Sequence, residues 1–364
     1  MAPTQGTCDE RFEAVRDVLA ASLDDQDVGA SVAVYVEDEP VVDLWGGYAD
    51  VERTRPWERD TITCVWSTTK TMAALSALVL ADRGLVDLDA PVADHWPEFA
   101  AAGKEKVLLR HVLGHTSGLP TWHEQLRTEQ LFDWSAMTAL LAEQAPSSPP
   151  GQVGAYHAAT QGYLIGEVVR RATGRDLGTF FAEEIAGPLG ADFHIGLPAE
   201  HDHRVAPVIP AEFRAPELEA RGPGNPPIPA ETANTEAWRR AQIPSANGFG
   251  NARSVAAVQS VLAAGGQARG VRLLSQAGCE RALEEQFLGE DEVMGTQMRY
   301  GMGYALRGRT CSWGGWGGSV VVVDFDTRLT VSYVMNQMLE QGPLGDDRGL
   351  GVVMAAFGAL RGVH

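Results

Sequence analysis

Lysine is nearly missing from this 364-residue chain: of its 29 basic residues only Lys70, Lys104 and Lys106 are lysines. Arginine covers almost every other position that needs a positive charge, so the exceptions ask for a chemical reason. A lysine can surrender its proton near neutral pH, and an arginine cannot. Basic clusters are missing too. With a net charge of −19 and no run of Lys and Arg from which phosphate contacts are built, nucleic acid is not expected as a partner. Cysteine is sparse: Cys8, Cys64, Cys279 and Cys311 form no Cys-x-x-Cys pair, which argues against a zinc site or a disulfide framework and suits a reducing compartment. Apolar runs are short, and MAALSALVLA (residues 72–81) falls well below the ~18 residues that span a bilayer. The opening MAPTQGTCDERFEAVRDVLA has no positive segment followed by an apolar one, so no secretory signal is expected. These absences predict a cytoplasmic protein with no membrane partner and no metal or cofactor. What is present, 45% apolar residues and nine tryptophans, is ample for a large core.

Periodicity places the elements. Residues 10–22 read as an amphipathic helix, and ASVAVYVEDEPVVDLWGGYAD as two strands around a Glu37–Pro40 turn. A helix is expected from Val65 to Arg83 with Gly84 as its stop, then others over 131–144 and 159–173, the last ending at Gly174. Residues 198–230, dense in Pro, Ala and Glu, read as a long ordered loop at the rim of a pocket. Two helical stretches follow Arg253, then SVVVVDFDTRLTVSYVMN as a hairpin and a last helix near 348–361. Strands at both ends with helices between predict one sheet assembled from both termini and a helical insertion. The expected division is 1–60 and 246–364 for the α/β sheet domain and 61–245 for the mainly helical lobe.

Ser67 and Lys70 stand at i and i+3, so a helical turn brings a hydroxyl and an amine onto one face. A nearby helix N-terminus favours a developing alkoxide. Acting as a base at neutral pH requires the amine's pKa to fall from about 10.4 to near 7, on the order of 4 kcal/mol of burial and neighbouring dipoles. A Ser-x-x-Lys match by itself is a common coincidence and needs partners. Tyr156, on the loop entering a helix, is placed to shuttle a proton. In CSWGGWGGSVVVV (residues 311–323) four glycines at the head of a strand indicate that something approaches the backbone closely. His157 is a candidate substrate contact beside Tyr156. Ser117 reads as structural, because GHTSG lacks the spacing of a nucleophile elbow. His111 and His115 are not expected to bind metal, since Gly114 interrupts their helix, and His201 and His203 fall in the solvated loop.

The trio Ser67-Thr-Thr-Lys70, Tyr156-His-Ala158 and Trp313-Gly-Gly315 resembles, in order and type, the motifs of serine β-lactamases and penicillin-binding proteins, and most of all their class C-related relatives, the family VIII carboxylesterases and allied acyltransferases. LLRHVLGHTSGLP (108–120), GPLGAD (187–192) and NGFGNARS (247–254) are similar to stretches of the same family. The resemblance implies an α/β (α+β) β-lactamase/transpeptidase-like fold, an antiparallel sheet flanked by helices with a mainly helical lobe, and the site in the cleft between them. It implies Ser67 as nucleophile, Lys70 and Tyr156 as the proton-handling pair, and the backbone N–H groups of Ser67 and Trp316 as the oxyanion hole. Trp313, Gly314, Gly315 and His157 would contact substrate. Two departures narrow the chemistry. Trp313 stands where β-lactamases carry a cation for the substrate carboxylate, and Ala158 where many relatives have an amide-binding Asn. The expectation is a hydrolase of small to medium acyl esters, with an acyltransferase, a β-lactamase-type amidase and a non-catalytic ligand-binding relative as the alternatives.

Overall fold

The computed structural model describes residues 3–212, 224–339 and 346–361. Strands β1 (Thr4–Cys8), β2 (Gly29–Val36) and β3 (Glu39–Gly47) come from the N-terminal part. Strands β4 (Thr63–Cys64), β5 (His194–Ile195) and β6 (Gly248–Gly250) make a small sheet of order β4-β6-β5, and β7 (Gln267–Ala268) pairs with β8 (Val271–Arg272). Strands β9 (Phe287–Glu290), β10 (Gln297–Tyr300), β11 (Ala305–Arg307), β12 (Thr310–Gly314), β13 (Val320–Asp324) and β14 (Leu329–Met335) complete the large sheet. Its order is β1-β3-β2-β14-β13-β12-β11-β10-β9, antiparallel throughout, so both ends of the chain meet where β2 pairs with β14.

That central pair is buried on both faces, which is why its sequence is almost unbroken in apolar and small residues. Val32, Val34, Val331 and Tyr333 face a layer built by α1 (Glu13–Asp25) and the C-terminal helix Asp347–Arg361. Ala33, Tyr35 and Val334 face the opposite layer, where the helix Ala252–Ala263 joins the sheet to the helical lobe. The expected first helix is therefore present, shifted to begin after a 3-10 turn at Glu10–Phe12, and the expected hairpin is β13–β14. β1 and β9 escaped the sequence reading because they are short, half-exposed edge strands with no apolar alternation.

In the helical lobe, α2 (Lys70–Asp82) is buried from Lys70 to Leu80, as its all-round apolar sequence requires. Around it lie α3 (Leu109–Leu113), α4 (Trp134–Glu143) and α5 (Thr160–Thr173), the last closed by Gly174 at φ 74°. The helix expected from Val65 starts later. Trp66 has φ 48°, which no helix admits, so Ser67–Thr69 forms a 3-10 turn from which α2 continues. In the expected loop 198–230, Ala199–Arg204 and Ala230–Asn234 are 3-10 turns, and residues 213–223 lie outside the described residues. Among the described residues no helix is long and apolar enough to cross a membrane.

Candidate active site

Ser67 emerges where β4 leaves its sheet. The Val65 N–H donates to Gly248 O at 2.9 Å and Trp66 bridges to Asn247, which pins the incoming chain against β6. Trp66 then turns through φ 48°, ψ −131°, a conformation that a bulky residue holds only when its surroundings impose it. Those surroundings are Trp238 and Trp316, with ring centroids 5.5 and 5.0 Å away. The turn points Ser67 into the cleft and starts the 3-10 segment. In a 3-10 turn residues i and i+3 eclipse, and Lys70 Nζ comes to 3.3 Å from Ser67 Oγ.

Lys70 is 1% exposed. Its Nζ donates to Ala158 O at 2.7 Å and to Ser245 O at 2.9 Å, and no acidic side chain is among its hydrogen-bond partners. Burial without a counter-charge drives its pKa well below the ordinary lysine value. A neutral amine has two N–H bonds and one lone pair. In that form the two carbonyls, which can only accept, would take both N–H bonds and leave the lone pair for the Ser67 hydroxyl.

Tyr156 Oη lies 2.7 Å from Ser67 Oγ, and Lys70 Nζ lies 4.9 Å from the Tyr156 ring centroid. Burial raises the phenol to about 12; its hydrogen bond with Ser67 and the neighbouring Trp313 indole oppose the shift, and the Asp291 charge adds to it. Tyr156 therefore stays protonated through the neutral range, while burial pushes Lys70 the opposite way, toward the neutral amine. The two groups flanking Ser67 are thus shifted in opposite senses.

Three residues to which the sequence reading gave no part in the site hold this pair. Asp291 is wholly buried, and its Oδ1 accepts from the N–H groups of Tyr156 (3.2 Å), Val293 (2.9 Å) and Met294 (2.7 Å), while Oδ2 accepts from Tyr300 Oη (2.8 Å). His115, also buried, meets Tyr156 and Tyr300 edge-to-face, with ring centroids 5.2 and 4.9 Å away. Burial, with His157 and Lys70 nearby, holds its pKa well below the usual value, so it is neutral. Ser245 presents its carbonyl to Lys70 and fixes its own hydroxyl on Ala159 O (2.9 Å). Asp291 sits in an acidic stretch that reads as solvated surface, and His115 in a loop already assigned a structural part, so nothing local distinguished them.

Two expected substrate contacts are corrected by burial. His157 is 0% exposed, with Nε2 at 2.6 Å from Ser117 Oγ and Nδ1 at 2.5 Å from Ala155 O, and burial lowers its pKa to about 4. It braces the Tyr156 loop from below, with Ser117 in the structural part expected of it. The Trp313 side chain is 1% exposed and packs with Tyr300, Met298 and Tyr156 instead of lining the cleft. Gly314 and Gly315 keep a different standing, because the pairing of β12 with β11 ends at Ser312 and the strand runs on past it. At Gly315 the close approach that the glycines implied is made by the protein itself, since a Cβ there would lie 2.2 Å from Val65 O. Ser319 completes the join, donating to Val65 O at 2.8 Å and meeting Thr68 Oγ1 at 3.0 Å. Ser67, Tyr156 and Trp316 are half-buried and Ala158 is exposed.

This arrangement has close counterparts. A family model described as Beta-lactamase matches residues 15–353. The esterase/beta-lactamase LipL of Mycobacterium tuberculosis is 33% identical over 370 residues, which cover 94% of this chain and 85% of LipL. Among solved structures, a family VIII carboxylesterase is similar at a TM-score of 0.92 and 43% identity, over 98% of this chain and 100% of that one. A penicillin-binding protein homologue from Caulobacter crescentus is similar at 0.91 and 37% identity, over the same 98% and 100%. With the match running almost from end to end and a Ser-x-x-Lys turn facing a tyrosine at its centre, the chain belongs to the beta-lactamase family.

Proposed function

We propose that this chain is a serine carboxylesterase that cleaves small to medium acyl esters through a covalent acyl–Ser67 intermediate. The observation that carries the reading is the placement of Lys70, whose buried Nζ lies 2.7 and 2.9 Å from two backbone carbonyls and 3.3 Å from Ser67 Oγ, so that the neutral amine would turn its lone pair to the hydroxyl. As Ser67 Oγ bonds to the acyl carbon, its proton passes to Lys70 Nζ, and the carbonyl oxygen becomes an oxyanion held by the N–H groups of Ser67 and Trp316. When the ester C–O bond breaks, Tyr156 gives its proton to the departing alcohol and is reprotonated from Lys70. Water then enters, loses a proton to the same pair as it attacks, and Ser67 leaves with a proton restored.

Esters rather than β-lactams are favoured by two residues. A buried indole at 313 offers no cation to a substrate carboxylate, and the Ala158 methyl, exposed in the cleft, offers no hydrogen bond to a substrate amide. Four free thiols, three of them buried, fit a cytoplasmic setting. A chromogenic short-chain ester is expected to turn over at least ~10²-fold faster in kcat/KM than a chromogenic cephalosporin, the scale expected when a charged or hydrogen-bonding anchor is missing. Equal rates would overturn the ester assignment. Adding a small alcohol to the same assay divides the acyl group between water and alcohol and reads out acyltransfer directly.

A further inference from the structure

Behind the glycine-rich loop lies a buried charge cluster that the acyl-transfer chemistry does not use. Arg348, at the start of the C-terminal helix, is enclosed and has an acceptor for each of its five N–H bonds. Nη1 donates to Asp27 Oδ1 (2.7 Å) and Gln337 O (2.9 Å), Nη2 to Gly317 O (2.7 Å) and Asp346 Oδ2 (2.5 Å), and Nε to Asp346 (3.1 Å). Asp27 is itself fixed by Ser22 Oγ (2.5 Å) and Tyr333 Oη (2.7 Å). Buried ion clusters contribute little net stability, and apolar replacements of the same volume often serve as well. What such a cluster fixes in space is therefore the more informative property, and this one fixes a single peptide of the loop beside Ser67.

We propose that Arg348 is a positioning residue for the oxyanion hole: its guanidinium, oriented by Asp27 and Asp346, holds the Gly317–Gly318 peptide by its carbonyl, and the N–H of that peptide donates to Gly315 O at 3.1 Å, so that the Gly315–Trp316 peptide and its Trp316 N–H are set toward Ser67. The loop is clamped at both ends. On the nucleophile side, Ser319 bonds to Val65 and Thr68, the residues two before and one after Ser67, and Gly315 lies directly against the Val65 carbonyl. On the far side, a Cβ at Gly318 would fall 2.2 Å from Asp346 Oδ2 and 2.6 Å from Arg348 Nη2, and one at Gly317 would fall 2.5 Å from Met338 Cγ. The cluster thus packs on the bare backbone at Gly318 and Met338 on that at Gly317. Leu339 N–H shares the Gly317 carbonyl at 3.1 Å and closes the seat.

The inference rests on the acyl–Ser67 reading, and the experiment separates the two. Arg348→Lys keeps the charge but cannot reach Asp27, Asp346 and Gly317 together. It is expected to lower kcat for a short-chain ester by on the order of 10²-fold, the effect of a donor displaced by about 1 Å. KM is expected to stay within threefold, and affinity for a trifluoromethyl ketone, which binds as a tetrahedral oxyanion, to fall in step with kcat. Glu167→Gln is the control, a buried carboxylate of the helical lobe bonded to Trp134, Arg170 and Arg171. It is expected to lower Tm while leaving kcat and ketone affinity within twofold. If Arg348→Lys does not fold, Asp27→Asn takes its place, with a loss of about tenfold expected in the same two readouts. Wild-type kcat and ketone affinity in the folded variant, or equal losses in the control, overturn the positioning role. A wild-type protein with no ester turnover overturns the esterase reading instead.

Discussion

Lys70→Arg is expected to lower kcat for ester hydrolysis by about 10³–10⁴-fold, although it preserves the positive charge and the ability to donate to both carbonyls. The amine at this position works because it can be neutral. Its three contacts are two obligate acceptors and a hydroxyl, with no carboxylate to stabilise an ammonium, and burial leaves its pKa far below the usual value. A guanidinium cannot lose its proton under any assay condition, so no lone pair reaches Ser67. The measurement is stopped-flow acylation by a nitrophenyl ester on variant protein shown by circular dichroism to melt cooperatively. A folded Arg variant within tenfold of wild type would remove Lys70 as the base.

Tyr156→Phe is expected to separate substrates by leaving group. Loss of the proton donor lowers kcat/KM by ~10²–10⁴-fold for an alkyl ester, whose alkoxide departs poorly, and by much less for a nitrophenyl ester, whose phenolate needs no proton. The pH profile carries the same assignment. The reactive form has Lys70 neutral and Tyr156 protonated, so the wild-type rate falls as pH drops through the depressed Lys70 pKa and on the alkaline side only as pH approaches the Tyr156 value of about 12. A broad plateau between the depressed Lys70 pKa and this alkaline limb is therefore expected. Equal losses on both esters, or an alkaline limb near pH 8, would contradict Tyr156 as the acid.

The sequence brought Ser67 and Lys70 together because both lie within one turn, where spacing and geometry are nearly the same thing. It also carried α5 with its Gly174 stop, and β13–β14, because their periods and turn residues are local. It misjudged the start of α2, since nothing short of the packing of Trp238 and Trp316 reveals that Trp66 must take a positive φ. Asp291 and Tyr300 reach Tyr156 across 135 or more residues of chain, and Arg348 reaches Asp27 across 321, so their partners exist only once the sheet has closed. Trp313 shows the same limit in reverse. Its place in a motif suggested a cleft wall, but the alternation of β12 turns its side chain into the layer under Tyr156.

The central claim is that Ser67 becomes acylated. A fluorophosphonate labels serines activated as nucleophiles, and peptide mass spectrometry after labelling locates the adduct. A single adduct on Ser67, lost in Lys70→Arg and blocked by prior incubation with a short-chain ester, is the predicted result. An adduct on any other residue, or ester turnover that persists in Ser67→Ala, would contradict it.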